Sequence, residues 1–257
     1  MIAVAQELLG LSQQALWHSF LVFLRVGAAV SLLPAFGEQT VPLRVKLGLA
    51  FAFTMIVAPA VDTAGPSDFQ LGLMVRFVFA ETANGLVLGI AVRMFVLAMQ
   101  TAGAIAAQST SLSQLLGNSA AEPLPAIGHI LVIAGLALAV TTGLHLRVAE
   151  YLVMSYSTLA FGRWPGVDWV SQWGVAQVAR TFGMAFQLAA PFVIVSALYN
   201  LTLGVINRAM PQLMVAFVGA PVITLGGLVL LALVSPVALT VWVDALNTFL
   251  SVPVGTK

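Results

Sequence analysis

Histidine and serine are the side chains of this sequence that could carry nucleophilic or metal chemistry, and their spacing supports neither. The three histidines, His18, His129 and His145, are scattered. No His-Glu-x-x-His pair puts two imidazoles on one helix face for zinc, and no Gly-x-Ser-x-Gly elbow holds a serine on a strained turn. A membrane hydrolase would have to assemble Ser109, Ser111 or Ser113 with His129 or His145, and nothing in the spacing selects that grouping. With no cysteine there is no thiolate nucleophile, no sulfur metal site and no disulfide framework. A Gly-rich phosphate loop with its lysine is also missing, so the chain does not itself use nucleotide energy. The reading is of a protein that is not an enzyme and needs no cofactor or metal.

What stands out instead is charge in places where charge is costly. Arg25, Arg76, Glu81, Arg93 and Arg208 lie inside long apolar blocks, and a lone charge at membrane depth costs about 2.5 to 3.5 kcal/mol on insertion scales. In "ETANGLVLG", Glu81, Gly85 and Gly89 recur every four residues. The carboxylate therefore shares a helix face with a Gly-x-x-x-Gly pair that admits another backbone closely. Arg76 is five residues from Glu81 and Arg93 twelve, so neither meets it at the three- or four-residue spacing, and partners are expected on other helices or subunits. Two readings follow: a proton or ion relay, or a buried structural pair at an interface. No second carboxylate or histidine lies in register to continue a relay. A similar face occurs in "NLTLGVINRAMPQL", where Asn200, Gly204 and Arg208 step by four and Pro211 follows. There an arginine near a helix end faces the negative pole of the helix dipole, as in a capped hairpin tip.

The elements that carry these residues are set by composition. Of 257 residues, 60% are hydrophobic and 7% charged, and the mean hydropathy is +1.04, which identifies an all-α integral membrane protein. A barrel is excluded because the apolar runs are continuous and lack dyad alternation. A net charge of +1 gives no field for nucleic acid. Glu7 stands where a signal peptide would carry a basic residue, so the N-terminal segment is expected to be retained. About six apolar blocks are read against the length that a spanning helix needs, roughly 16–36, 43–61, 72–107, 124–160, 178–206 and 212–250. Pro34, Pro59, Pro191, Pro211, Pro221 and Pro236 fall inside or at the ends of these blocks, which predicts helical hairpins with proline-broken arms. Arg44 and Lys46 place the loop at 37–46 in the cytoplasm. Arg147, Arg163 and Arg180 then fall on the opposite side if six blocks alternate, so the block count and simple alternation do not agree. Trp164, Trp169 and Trp173 read as an interfacial aromatic belt.

Between two of the most apolar blocks lies "AQSTSLSQLLGNSAAEPLPA", residues 107–126, rich in small and polar residues yet carrying a single charge, Glu122. Lipid would demand apolar residues there, and bulk water usually brings charge. A segment packed in a narrow protein-lined pore suits this composition, and so does an ordinary uncharged connection between helices.

Three stretches carry a resemblance: "FLRVGAAVSLLPAFGEQTVPLRVKLGLAFAFTMIVAP" (23–59), "ETANGLVLGIAVRMFVLAMQTAG" (81–103) and "FQLAAPFVIVSALYNLTLGVINRAMPQLMVAFVGAPV" (186–222). They are similar to the FliR family of flagellar export-gate proteins, whose relatives in virulence secretion are called SctT, and the likeness covers nearly the whole chain in order. The resemblance implies one membrane domain over 1–257, resembling a fusion of FliP-like and FliQ-like folds. It implies a subunit of the flagellar type III export gate in the bacterial inner membrane and flagellar basal body. Its partners would be FliP, FliQ, FlhB, unfolded export substrates and membrane lipid. The family also places a plug loop at 107–123, with Gln108, Ser109, Ser111, Leu112, Ser113, Leu115, Leu116, Gly117 and Asn118 in the pore. Arg25, Arg76, Glu81, Gly85, Gly89, Arg93, Asn200, Gly204, Arg208 and Pro211 are then the candidate subunit-interface and buried-charge positions. Virulence secretion is the alternative system. A secondary transporter is the alternative class, but no inverted repeat with matching charges is present.

Overall fold

A computed structural model of the chain describes residues 2–61, 71–110, 126–210 and 215–252. Seven helices and no strands occur among the described residues: α1 Ile2–Val30, α2 Leu43–Ala60, α3 Leu71–Thr110, α4 Ala126–Thr141, α5 Leu144–Thr158, α6 Val167–Ala209 and α7 Val215–Leu250. Among the described residues, four helical stretches are long and apolar enough to cross a membrane: Leu43–Ala60, Leu71–Ser109, Val167–Ala209 and Val222–Leu250. The count is five if α4 and α5 form one bent span. With 40, 43 and 36 residues, α3, α6 and α7 are about 60, 65 and 54 Å long, against a hydrocarbon core of about 30 Å. Such helices must tilt strongly or extend beyond the bilayer.

The expectation of proline-broken arms is corrected for Pro191 and Pro236, whereas Pro34 lies in the break between α1 and α2 and Pro59 stands one residue before the end of α2. Helix α6 runs through Pro191 and α7 through Pro236. Each proline removes one amide donor, but a break would strand several more backbone groups in an apolar medium, so continuing the helix is the lesser loss. The chain breaks instead inside the block read as 124–160. Gly143, at φ 93°, separates α4 from α5, which meet at 77°. Only a residue without a β-carbon takes that backbone conformation at little cost. The sixth helix begins earlier than its hydropathy suggested, because α6 starts at Val167, ahead of most of the Trp-rich stretch.

The chain divides into two compact units. The first comprises Met1–Arg93, Val140–Ala176 and Leu246–Lys257, and the second Met94–Ala139 and Gln177–Ala245. In the first unit α2 packs along α1 and touches α5. Its core includes Leu21, Val22, Val26, Leu88, Leu144 and Leu152, all at most 1% exposed. In the second, Gly103 on α3 and Gly128 on α4 are so close that a β-carbon on Gly103 would overlap the Gly128 backbone. Trp242 of α7, 1% exposed, fills the space beside Gly135 and donates its indole N–H to the carbonyl of Phe95 at 2.8 Å. Both contacts follow one rule: small residues set the helix spacing, and a large side chain fills the resulting gap.

Candidate functional site

The site is built around Arg25 on α1 and Glu81 on α3, both fully buried. Nε of Arg25 donates to Oε2 of Glu81 at 2.7 Å, and Nη2 donates to Oε1 at 3.0 Å. This is the bidentate fork geometry that makes arginine and carboxylate a strong pair. Nη1 donates to Oγ of Ser155 on α5 at 3.3 Å, and that hydroxyl donates onward to the carbonyl of Leu152 at 2.6 Å. The guanidinium also lies over the Tyr156 ring, 3.7 Å from its centroid, a cation–π contact strengthened by exclusion of water. Glu81 Oε1 accepts one bond more, from the Gly162 backbone N–H at 2.8 Å. Two ions buried without such bonds would each cost several kcal/mol. Here one carboxylate accepts three bonds, and the clasp joins α1, α3, α5 and the loop after α5.

The glycines on the Glu81 face bring the two helices to this distance. A β-carbon on Gly85 would overlap the Arg25 carbonyl, and one on Gly89 would lie 2.9 Å from the Ala29 carbonyl oxygen. The neighbour of this face is thus α1 of the same chain. Glu81 has its partner on another helix of the same chain, one of the two sources that its spacing left open. Gly162 adopts φ 67°, and a β-carbon there would enter the Phe77 ring. This tight fit aims its N–H at Glu81. Asn84, one turn beyond Glu81, donates to the carbonyl of Arg163 at 3.0 Å and ties down the same loop.

The other candidate positions lie elsewhere. Arg93 pairs with Glu38 at 2.5 Å, both side chains about a quarter exposed, 29% and 24%. Arg76 is exposed on the second turn of α3. On α6, Asn200 donates to Ser196 Oγ at 3.3 Å, a β-carbon on Gly204 would meet nothing within 4 Å, and Arg208 is exposed in the last turn. Pro211 lies outside the described residues. So do Ser111, Leu112, Ser113, Leu115, Leu116, Gly117 and Asn118 of the expected plug. Gln108 and Ser109 belong to the last turns of α3; Gln108 is exposed, and the Ser109 carbonyl accepts a bond from the Ser196 hydroxyl. Of the histidines, His18 contacts the Ala58 carbonyl through Nε2 at 2.9 Å, while His129 and His145 are exposed. Trp169 and Trp173 stack, with ring centroids 5.4 Å apart and planes 11° from parallel.

Sequence reasoning did not find Ser155, Tyr156, Gly162, Asn84 or Glu38. Arg25 and Glu81 are 56 residues apart, and Arg25 and Ser155 are 130 apart. Helical spacing rules reach only one or two turns. The one local signal was Gly162, a glycine between aromatic and basic residues in "FGRWPG".

Comparison with known proteins places this geometry in context. The sequence matches bacterial export proteins, family 1, over residues 16–249. It is 35% identical over 235 residues to the flagellar biosynthetic protein FliR of Caulobacter vibrioides, covering 90% of this chain and 94% of that one. The flagellar biosynthetic protein FliR of Escherichia coli is 31% identical over 226 residues, 84% of each chain. That of Bacillus subtilis is 27% identical over 206 residues, 78% of this chain and 79% of that one.

Proposed function

The chain belongs to the FliR family, bacterial export proteins, family 1, and from that membership we propose that it is a subunit of the flagellar type III export gate. Membership makes it a non-enzymatic membrane component of flagellar protein export. The finer reading is that it joins FliP and FliQ, touches FlhB in the bacterial inner membrane at the flagellar basal body, and helps to form and close a passage for unfolded substrates. The observation that carries this reading is the likeness to flagellar FliR proteins over nine-tenths of the chain. It also favours flagellar export over virulence secretion. The Arg25–Glu81 clasp supports a structural role for the buried charge: all the carboxylate's bonds go to donors that hold the fold, and a relay needs a carboxylate able to release a proton to a neighbour.

Closure is assigned to residues 107–123. Helix α3 delivers this segment, and the Ser196–Ser109 bond holds its first residues to α6 within the second unit. Leu112, Leu115 and Leu116 are its main apolar anchors. Burying each contributes about 1.5 to 3 kcal/mol, enough to hold a segment closed yet leave it free to open. The test is permeability of cells to ions or a small dye with residues 110–120 deleted from the full chain. The gate should still assemble with FliP and FliQ, and the membrane should leak. Full assembly with a tight membrane would reduce the segment to a connecting loop.

A further inference from the structure

The loop between α5 and α6, residues 159–166, is held more firmly than a connection requires. Glu81 accepts its Gly162 N–H and Asn84 donates to its Arg163 carbonyl, and both of those side chains are fully buried. The Phe161 ring lies among Tyr156, Phe77 and His18, with centroids 6.2, 5.5 and 5.9 Å away. The Arg163 N–H closes a turn on the Ala160 carbonyl at 3.2 Å. Pro165 fixes its own φ and restricts Trp164 before it. Two buried polar side chains thus fix a stretch whose outward side chains are Arg163 and Trp164, the latter 55% exposed.

The same contacts give the level of this loop in the first unit. His18, beside Phe161, meets the Ala58 carbonyl in the last turn of α2. Helix α2 has 18 residues, about 27 Å, which nearly matches a hydrocarbon core of about 30 Å. It turns Leu47, Phe51 and Met55 outward, a row that suits hydrocarbon. The end of α2 therefore marks a membrane surface, and Arg163 and Trp164 stand at that level, where tryptophan is favoured and headgroups begin. Arg76 is exposed next to Phe77, whose ring packs against Phe161, and adds a second cation on the same side of the unit. Neither arginine has an ion pair among the described residues. Asp168, exposed in the first turn of α6, pairs with neither, and its charge suits the positive pole of its own helix.

We propose that Arg163, Trp164 and Arg76 form a binding site for the headgroup of an anionic phospholipid. The Arg163 fork donates to two phosphate oxygens, Arg76 adds attraction, and the Trp164 ring packs at the boundary between headgroup and chains. Hydrocarbon must cover Leu47, Phe51 and Met55 in any case, which favours lipid over an acidic protein segment as the source of the anion. The site does not depend on what the chain exports. The test is native mass spectrometry of the full chain, purified in mild detergent with equal amounts of phosphatidylglycerol and phosphatidylcholine. Phosphatidylglycerol should be retained over phosphatidylcholine. Arg163→Gln should lower that retention about fivefold, and the double variant with Arg76→Gln roughly tenfold or more. Arg163→Lys should keep part of it, since the charge stays and the fork is lost. Arg163 holds the fold through its backbone carbonyl, so these variants should melt like the unaltered chain. Arg147→Gln, which removes an exposed arginine already paired with Glu150, should leave retention unchanged. In cells, a photoreactive residue at Trp164 should label lipid. Equal retention of the two lipids, undiminished phosphatidylglycerol in the double variant, or labelling confined to a protein segment would each overturn the site.

Discussion

The first unit and the exposed side of α6 treat polar atoms in opposite ways. Around Arg25 and Glu81 each ion is fully buried and bonded, by partners from four different parts of the chain. Along α6, Arg180, Gln187 and Arg208 face outward from a helix whose buried side is mostly apolar. The difference separates two demands on polar residues in an apolar protein. A charge that the fold itself buries must be neutralised within the chain, or the chain does not fold. A polar group on an open face can wait for its partner, because its desolvation occurs only at assembly. Helical spacing alone placed Glu81 and Arg208 in the same class of interface charge, whereas their surroundings put them in different ones.

The contrast is broken most strongly at the clasp. Glu81→Gln or Arg25→Gln should destabilise the isolated chain by about 3 to 5 kcal/mol, since each leaves its partner buried without a counter-charge. The measurement is thermal unfolding of the purified chain in detergent or nanodiscs. Replacing both, Arg25→Met with Glu81→Leu, should recover part of that loss, because no lone ion remains. Unchanged melting of Glu81→Gln would mean that the ion pair does not hold this unit together.

Gly162→Ala comes next, at about 1 to 3 kcal/mol, from a backbone conformation that alanine takes with strain and from the collision with Phe77. Its signature should be local: proteolysis or hydrogen exchange increasing first in residues 159–166. A uniform rise in exchange across the first unit would instead make the loop inseparable from the helices.

Smaller again is Arg93→Gln. The Arg93–Glu38 pair is partly exposed, and partly solvated pairs contribute about 0.2 to 1 kcal/mol. Its loss should narrow when salt is raised, whereas the Glu81→Gln loss should not. The smallest effect is expected at Gly204→Ala and Arg208→Gln, within about 0.5 kcal/mol for the isolated chain. Their cost should appear only as reduced recovery of the assembled export complex. A large loss of stability in the isolated chain would show that this part of α6 already has a partner within it.

The sequence by itself determined the class of the protein and the residues of consequence. Continuous apolar runs with 7% charged residues admit only helices in a membrane, and the spacing of Glu81, Gly85 and Gly89 identified a face built for close approach. These features were legible because they depend on composition or on contacts within a turn or two. The tertiary structure decided the partners: Arg25 for Glu81, Glu38 for Arg93, the Gly162 amide for the remaining bond on Glu81. It also decided where helices end. Prolines at 191 and 236 did not break them, and Gly143 did. The physical reason is shared by both outcomes. In an apolar chain the cost of an unpaired backbone or side-chain group exceeds most local preferences, and whether a group is paired depends on segments far away in sequence.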